Sequence, residues 1–131
     1  MNPCDNKKRG FWAGRCKSFT YAWAGIKALF SLEHNAQFHL GVAVIVVIAG
    51  FLFNISGAEW TAVILCIAGM FMAEGFNTAI EELADYACRG EKHPAIGKVK
   101  DVAAGAVLMM AVGSVAVGLV IFLPKIVGLL R

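Results

Sequence analysis

The sequence predicts an all-α integral membrane protein, with an N-terminal amphipathic surface helix followed by three transmembrane helices. Of its 131 residues, 59% are hydrophobic and 16% are charged, whereas soluble domains average about 45–50% and about 25%. Three apolar segments each have close to the ~20 residues that span the hydrocarbon core of a bilayer. The length is that of one domain, so residues 1–131 are expected to form a single unit.

The N-terminal part of the chain is predicted to lie outside the bilayer. Residues 1–10 are polar and are expected to be poorly ordered. In residues 11–35, apolar side chains recur at steps of three and four, which is helical periodicity. These side chains are Phe19, Trp23, Ile26 and Phe30. Lysines occupy the other face, so this segment is predicted to be a helix lying on the membrane surface.

The three predicted spans are residues 38–56, 58–80 and 102–123. The short NISGAE connection between the first two has no Lys or Arg, whereas residues 82–101 carry four. Six more basic residues lie within residues 7–27, and only two lie near the C-terminus. Because basic residues accumulate in cytoplasmic segments, the N-terminus and the second connection are predicted to be cytoplasmic.

Two sequence features predict what the chain binds. The aromatic residues among the N-terminal basic ones fit an interfacial belt better than a nucleic-acid groove, so no nucleic-acid partner is expected. The third span is rich in Gly, Ala and Ser, which allow close approach between helices. Since three thin helices cannot easily enclose a polar site, the chain is predicted to form a homo-oligomer.

A stripe of polar side chains leaves the second predicted span. Asn77, Glu81 and Asp85 follow Glu74 at spacings of three, seven and eleven residues. On a helix, the four side chains project within roughly 80° of one another over about 16 Å. A carboxylate in hydrocarbon costs at least a few kcal/mol, so Glu74 is a candidate functional residue.

The predicted topology brings more polar residues to the same membrane surface. Lys100 and Asp101 open the third span at this level, and Glu33 closes the surface helix there. Carboxylates suit Mg²⁺, which binds through one or two of them together with substrate phosphates. A carboxylate in a partly apolar setting, such as Glu74, suits a general base. These features predict phosphoryl transfer, although the chain has no GxxxxGK[ST] nucleotide-binding loop.

Two other classes of protein are compatible with these residues. A small oligomeric ion or solute transporter would line its route with Glu74 and Asn77, but the polar groups gather at one side of the membrane. A structural membrane subunit would tolerate Glu74→Leu, because burying a charge without function only costs free energy. By itself, Lys100-Asp101 fits an interfacial helix cap, and His39 fits an interface hydrogen bond better than a metal ligand.

The pattern EGFNTAIE at 74–81, followed by Asp85 and by Lys100-Asp101 ahead of an Ala/Gly-rich helix, resembles the small prokaryotic diacylglycerol kinase family. That family includes the undecaprenol kinases of Gram-positive bacteria, and the resemblance covers about residues 21–125. It implies a homotrimeric enzyme of the bacterial inner membrane. Such an enzyme uses ATP as co-substrate and Mg²⁺ as cofactor to phosphorylate a lipid hydroxyl at the cytoplasmic interface.

The resemblance also implies roles for individual residues. Glu74 resembles the catalytic base of the family, and Glu33 and Glu81 resemble its metal-binding carboxylates. The residues implied at the nucleotide and phosphate site are Tyr21, Asn77, Glu81, Asp85, Glu91, His93, Lys100 and Asp101.

The chain departs from the family pattern at one place that bears on the acceptor. Ala36-Gln37 stand where the family usually has Phe-Arg, which removes a positive charge beside the implied lipid entrance. The stretch HPAIGKVKDVAAGAVL resembles the undecaprenol kinase branch more than the diacylglycerol kinase branch. The expected reaction is therefore undecaprenol to undecaprenyl phosphate, with diacylglycerol to phosphatidic acid as the alternative.

Overall fold

A computed structural model describes residues 11–88 and 93–130, and this part of the chain forms four α-helices. They are α1 (Phe11–Leu32), α2 (His34–Leu52), α3 (Gly57–Cys88) and α4 (Pro94–Leu129). The last three are long and apolar enough to cross a membrane. The predicted all-helical class with three candidate membrane spans is therefore confirmed for the described residues, while the expectation for residues 1–10 lies outside them.

Helices α3 and α4 are longer than the apolar segments that predicted them. Helix α3 continues to Cys88 and α4 begins at Pro94, so much of the predicted connection 82–101 is helical. A run of apolar residues identifies only the part of a helix that lies in lipid. The helix itself can be longer, because its backbone hydrogen bonds continue into the polar residues beyond that part. Proline at the first position of α4 suits a helix start, because its missing N–H would have no partner there. One continuous helix therefore carries the whole polar stripe.

The C-terminal end of α1 packs on the other helices. The rings of Phe30 and Phe71 meet edge to face, with centroids 4.9 Å apart. Earlier on α1, the side chain of Phe19 is 78% exposed. A single extended residue, Glu33, separates α1 from α2. The predicted helix is thus present, and its location on the membrane surface stays a prediction.

A tight turn joins α2 to α3 and closes one end of the structure. Asn54 adopts a positive φ of 48° in this turn. The Ser56 N–H donates to the Glu59 carboxylate over 2.6 Å, and the Glu59 N–H donates back to the Ser56 hydroxyl over 3.3 Å. This reciprocal capping box satisfies donors that the first turn of α3 leaves free. Lys125 on α4 lies 3.2 Å from the Glu59 carboxylate, so the turn is also tied to α4.

Near this turn, the indole of Trp60 lies against Gly50. A Cβ at Gly50 would lie 2.7 and 2.9 Å from two carbons of that ring. An added methyl group would therefore force the ring to move. Overpacking of a core typically costs about 1–3 kcal/mol, so we expect Gly50→Ala to lower the free energy of unfolding by that amount. Thermal unfolding in detergent, followed by circular dichroism, measures the change.

Gly41→Ala is the matched control for this prediction. Gly41 lies on the same helix, and no atom lies within 4 Å of the added Cβ. Its replacement gains helix propensity without a steric cost. Equal melting temperatures for the two variants would contradict the proposed packing of Trp60 on Gly50.

The single chain leaves most of its large apolar side chains uncovered. A small core, formed by Ile55, Val63 and Ile121, lies near the α2–α3 turn. Helices α3 and α4 pack along each other, and α2 packs on α3. In the described part of the chain, no Cα of α2 lies within 8 Å of a Cα of α4. Exposed apolar surface on this scale requires lipid or another chain to cover it.

Candidate functional site

The most buried ionisable side chain among the described residues is that of Glu74, which is 2% exposed. It lies on α3, opposite His39 of α2, whose Nε2 is 3.3 Å from its Oε1. The two atoms are close enough for an ion pair but are not aligned for a hydrogen bond, so Oε1 has no hydrogen-bond partner in the described residues. Burying a carboxylate oxygen without a hydrogen-bond donor costs free energy. This cost indicates that the oxygen has a functional partner in another state of the protein.

One turn further along α3, Asn77 is also buried, with 8% of its surface exposed. Its Nδ2 donates to Glu81 Oε1 over 3.0 Å, a pairing that the four-residue spacing on a helix favours. Within the described residues, its Oδ1 accepts no hydrogen bond. Glu74 and Asn77 therefore each present a buried oxygen atom that the described chain leaves without a donor.

A third carboxylate joins this group from the junction of α1 and α2. Glu33 is half-buried there, and both Glu33 and Glu81 lie close enough to act electrostatically on the Glu74 carboxylate. Three acidic side chains in one neighbourhood repel one another, and a bound cation relieves that repulsion. Glu33 thus lies in the electrostatic neighbourhood of Glu74, although the two residues are 41 positions apart in the sequence.

The polar stripe ends at an ion pair between α3 and α4. Lys100 Nζ lies 2.8 Å from Asp85 Oδ1, and the Asp85 side chain is largely exposed. Exposed pairs contribute only about 0–1 kcal/mol to stability. The contact matters more because it holds a positive charge at the end of the acidic stripe. The neighbouring residue Asp101 is exposed.

Of the other predicted site residues, Tyr21 and His93 are exposed. Tyr21 is exposed on α1, with the Lys17 ammonium 5.6 Å from its ring centroid. Tyr21 and Glu33 are separated by about 18 Å along the helix axis. His93 is exposed at the N-cap of α4, where its side chain makes no capping hydrogen bond. Glu91 lies outside the described residues.

His39 is the functional candidate that sequence reasoning missed. The sequence analysis assigned it to an interface hydrogen bond, whereas the structure places it beside the Glu74 carboxylate. The sequence did contain an indication, since a histidine at the start of an apolar span places a polar side chain where its burial costs free energy. Its partner could not be found from spacing, because it belongs to another helix.

An apolar cavity of about 400 Å³ adjoins the site. It lies between α2, α3 and α4, and His39 forms part of its wall. Most of the other lining side chains are aliphatic or aromatic, and they include Phe38, Val42, Met70 and Val117. The hydroxyl of Ser114 also lines the cavity and has no hydrogen-bond partner in the described residues. The cavity therefore suits an apolar chain whose polar end reaches the Glu74 group.

Ala36 and Gln37, where the chain differs from the family pattern, both contact other parts of the protein. Ala36 is completely buried, at 0% exposure, so a larger side chain there would require different packing. Gln37 Nε2 donates to the carbonyl oxygen of Phe30 over 3.2 Å. Gln37 thus satisfies a carbonyl at the end of α1 and contributes no charge.

The fold and the site define a small integral membrane protein with a buried acidic centre at the edge of an apolar cavity. The family model for prokaryotic diacylglycerol kinase matches residues 20–122. The chain therefore belongs to the prokaryotic diacylglycerol kinase family, as the resemblance predicted.

Two relatives illustrate the range of this similarity. The chain is 46% identical over 110 residues to an undecaprenol kinase of Bacillus subtilis, an alignment that covers 84% of this chain and 89% of the relative. It is 33% identical over 113 residues to a diacylglycerol kinase of Synechocystis sp., covering 86% of this chain and 65% of that relative. Membership of the family makes the protein a membrane lipid kinase, with ATP as co-substrate. This confirms the predicted enzyme class over the transporter and the structural subunit.

Proposed function

We propose that this protein transfers the γ-phosphate of ATP to undecaprenol and forms undecaprenyl phosphate, with Mg²⁺ as cofactor. The observation that carries the proposal is the buried Glu74 carboxylate beside an apolar cavity, because the acceptor is an alcohol at the end of a long apolar chain. The 46% identity to a protein named undecaprenol kinase, against 33% to one named diacylglycerol kinase, supports this choice of acceptor.

In this proposal, Glu74 is the general base. It takes the proton of the lipid hydroxyl while the hydroxyl oxygen forms a bond to the γ-phosphorus. The bond from that phosphorus to the bridging oxygen breaks, and ADP leaves. The absence of a hydrogen bond to Glu74 Oε1 in the described residues supports this role, because an oxygen without a donor is free to accept a proton.

The side chains around Glu74 also fit a divalent cation. We assign Glu33 and Glu81 to hold Mg²⁺, and the unpartnered Asn77 Oδ1 supplies a further hard oxygen at the same place. In residues 11–88 and 93–130, no three His, Cys, Asp or Glu side chains form a ready-made metal cluster. Mg²⁺ commonly binds through one or two carboxylates with substrate phosphates completing the shell, so two carboxylates suffice. When bound, the ion would neutralise charge on the phosphate oxygens.

We assign the remaining predicted residues to the nucleotide and its phosphates. Lys100 places a positive charge at the end of the acidic stripe, where Asp85 orients it. Asp101 adjoins this pair in sequence. The roles proposed for Tyr21, Glu91 and His93 rest on the family resemblance alone.

We further propose that three copies assemble in the bacterial inner membrane, with the N-terminus in the cytoplasm. The uncovered apolar side chains of α2, α3 and α4 support an assembly in lipid. The concentration of Lys and Arg in residues 7–27 and 89–100 supports the orientation.

A competition experiment tests the choice of acceptor. Purified protein in mild detergent would receive ATP labelled at the γ-phosphate, Mg²⁺, and equal amounts of undecaprenol and diacylglycerol. We expect most of the label in undecaprenyl phosphate, and omission of Mg²⁺ should prevent labelling. A majority of label in phosphatidic acid would favour the second candidate, diacylglycerol kinase, which the Synechocystis relative supports. No labelled lipid from a folded protein would contradict both.

A further inference from the structure

We infer that His39 is a positioning residue that holds the Glu74 carboxylate in place for proton abstraction, at the point where the apolar cavity meets the acidic group. This inference rests on the proposed function, in which Glu74 is the base. The contact on which it depends joins His39 Nε2 to Glu74 Oε1 over 3.3 Å.

The electrostatic surroundings of Glu74 give this contact its importance. In the described residues, the charged or ionisable groups that act on its carboxylate are His39, Glu33 and Glu81. The two glutamates repel it, and His39 is the one of the three that attracts it. Before a cation binds, loss of His39 would leave the carboxylate with only repulsive neighbours among these groups.

The histidine ring is itself held in place. His39 lies in the second turn of α2, its side chain is 19% exposed, and its ring meets that of Phe38 edge to face at 5.6 Å. Most of the side chain is therefore enclosed, which limits the positions that the ring can take beside the carboxylate. His39 also forms part of the cavity wall, so the residue that contacts Glu74 is one that a chain in the cavity would touch.

Small errors in the position of a base have large kinetic effects. A displacement of about 1 Å can lower a rate on the order of 100-fold. We expect His39→Leu to lower kcat by about 10- to 100-fold, with the KM for ATP little changed, because the residues proposed for the nucleotide do not include His39. His39→Gln should recover most of the loss, since its side-chain nitrogen occupies nearly the same position as Nε2.

His34→Leu is the matched control, because His34 is an exposed histidine at the start of the same helix. Its kcat should stay within about twofold of wild type. A purely structural role for His39 would lower the activity of the Leu and Gln variants equally, in step with their melting temperatures. That result would overturn the inference, and so would normal kcat in His39→Leu.

A second measurement separates this inference from the identity of the acceptor. Protein labelled with ¹⁵N-histidine would be studied by NMR in detergent, as wild type and as Glu74→Gln. We expect the Nε2 resonance of His39, assigned from its loss in His39→Gln, to shift while those of His34 and His93 stay unchanged. An unchanged His39 resonance would overturn the contact whichever lipid is phosphorylated. A shifted resonance together with no kinase activity on either lipid would instead count against the proposed function.

Discussion

Replacing Glu74 with Gln is expected to abolish lipid phosphorylation while the protein stays folded. The amide has nearly the same shape as the carboxylate but cannot take the proton of the lipid hydroxyl. General-base catalysis contributes about 10²- to 10⁴-fold, so kcat should fall by that amount. Burying an amide also costs less than burying a carboxylate, so the melting temperature should not fall. Transfer of label from ATP to lipid measures kcat, and circular dichroism measures the melting temperature.

Glu59→Gln is the matched control for this variant. Glu59 lies in the first turn of the same helix, where it caps that turn and contacts Lys125. The substitution makes the same chemical change about 22 Å away along the helix. Its kcat should stay within about twofold of wild type. A Glu74→Gln enzyme that retains more than a tenth of wild-type kcat would rule out Glu74 as the base.

Removing the positive charge of Lys100 is expected to have the second largest effect. Lys100→Ala should lower kcat/KM for ATP by about 10²- to 10³-fold, the usual cost of losing one group that stabilises charge in the transition state. Its ion pair with Asp85 is largely exposed and contributes only about 0–1 kcal/mol to folding. The loss should therefore appear in steady-state kinetics and leave the melting temperature nearly unchanged.

Lys98→Ala is the appropriate comparison, because Lys98 is an exposed lysine two residues earlier on α4. Its kinetics should stay close to wild type, and Lys100→Arg should retain part of the activity because it keeps the charge. Equal losses in Lys98→Ala and Lys100→Ala would show that only the net charge of this surface matters. The specific role proposed for Lys100 would then be wrong.

The fold and the acidic stripe were predictable because both depend on local sequence. Hydropathy and length identify α2, α3 and α4, since a bilayer admits only apolar segments of sufficient length. Helical periodicity places Glu74, Asn77 and Glu81 on one face, and the structure shows a continuous helix over these residues. The exact helix ends escaped prediction, because hydropathy does not report helix that extends beyond lipid.

Contacts between helices could not be predicted in the same way. The approach of His39 to Glu74 depends on how α2 lies against α3, and no spacing in the sequence encodes that angle. The complete burial of Ala36 also depends on how the helices pack, so the sequence could not predict it. For the same reason, the sequence alone could not show that Lys100 meets Asp85 across the break between α3 and α4.

The separation of α2 from α4 has a consequence for the range of acceptors. The two helices contact α3, but their Cα atoms stay more than 8 Å apart throughout the described residues. The cavity between α2 and α4 is therefore bounded by side chains of the two helices and not by closely packed backbone. A single isoprenoid chain and a pair of acyl chains differ chiefly in girth, so the size of these facing side chains is expected to decide which acceptor fits.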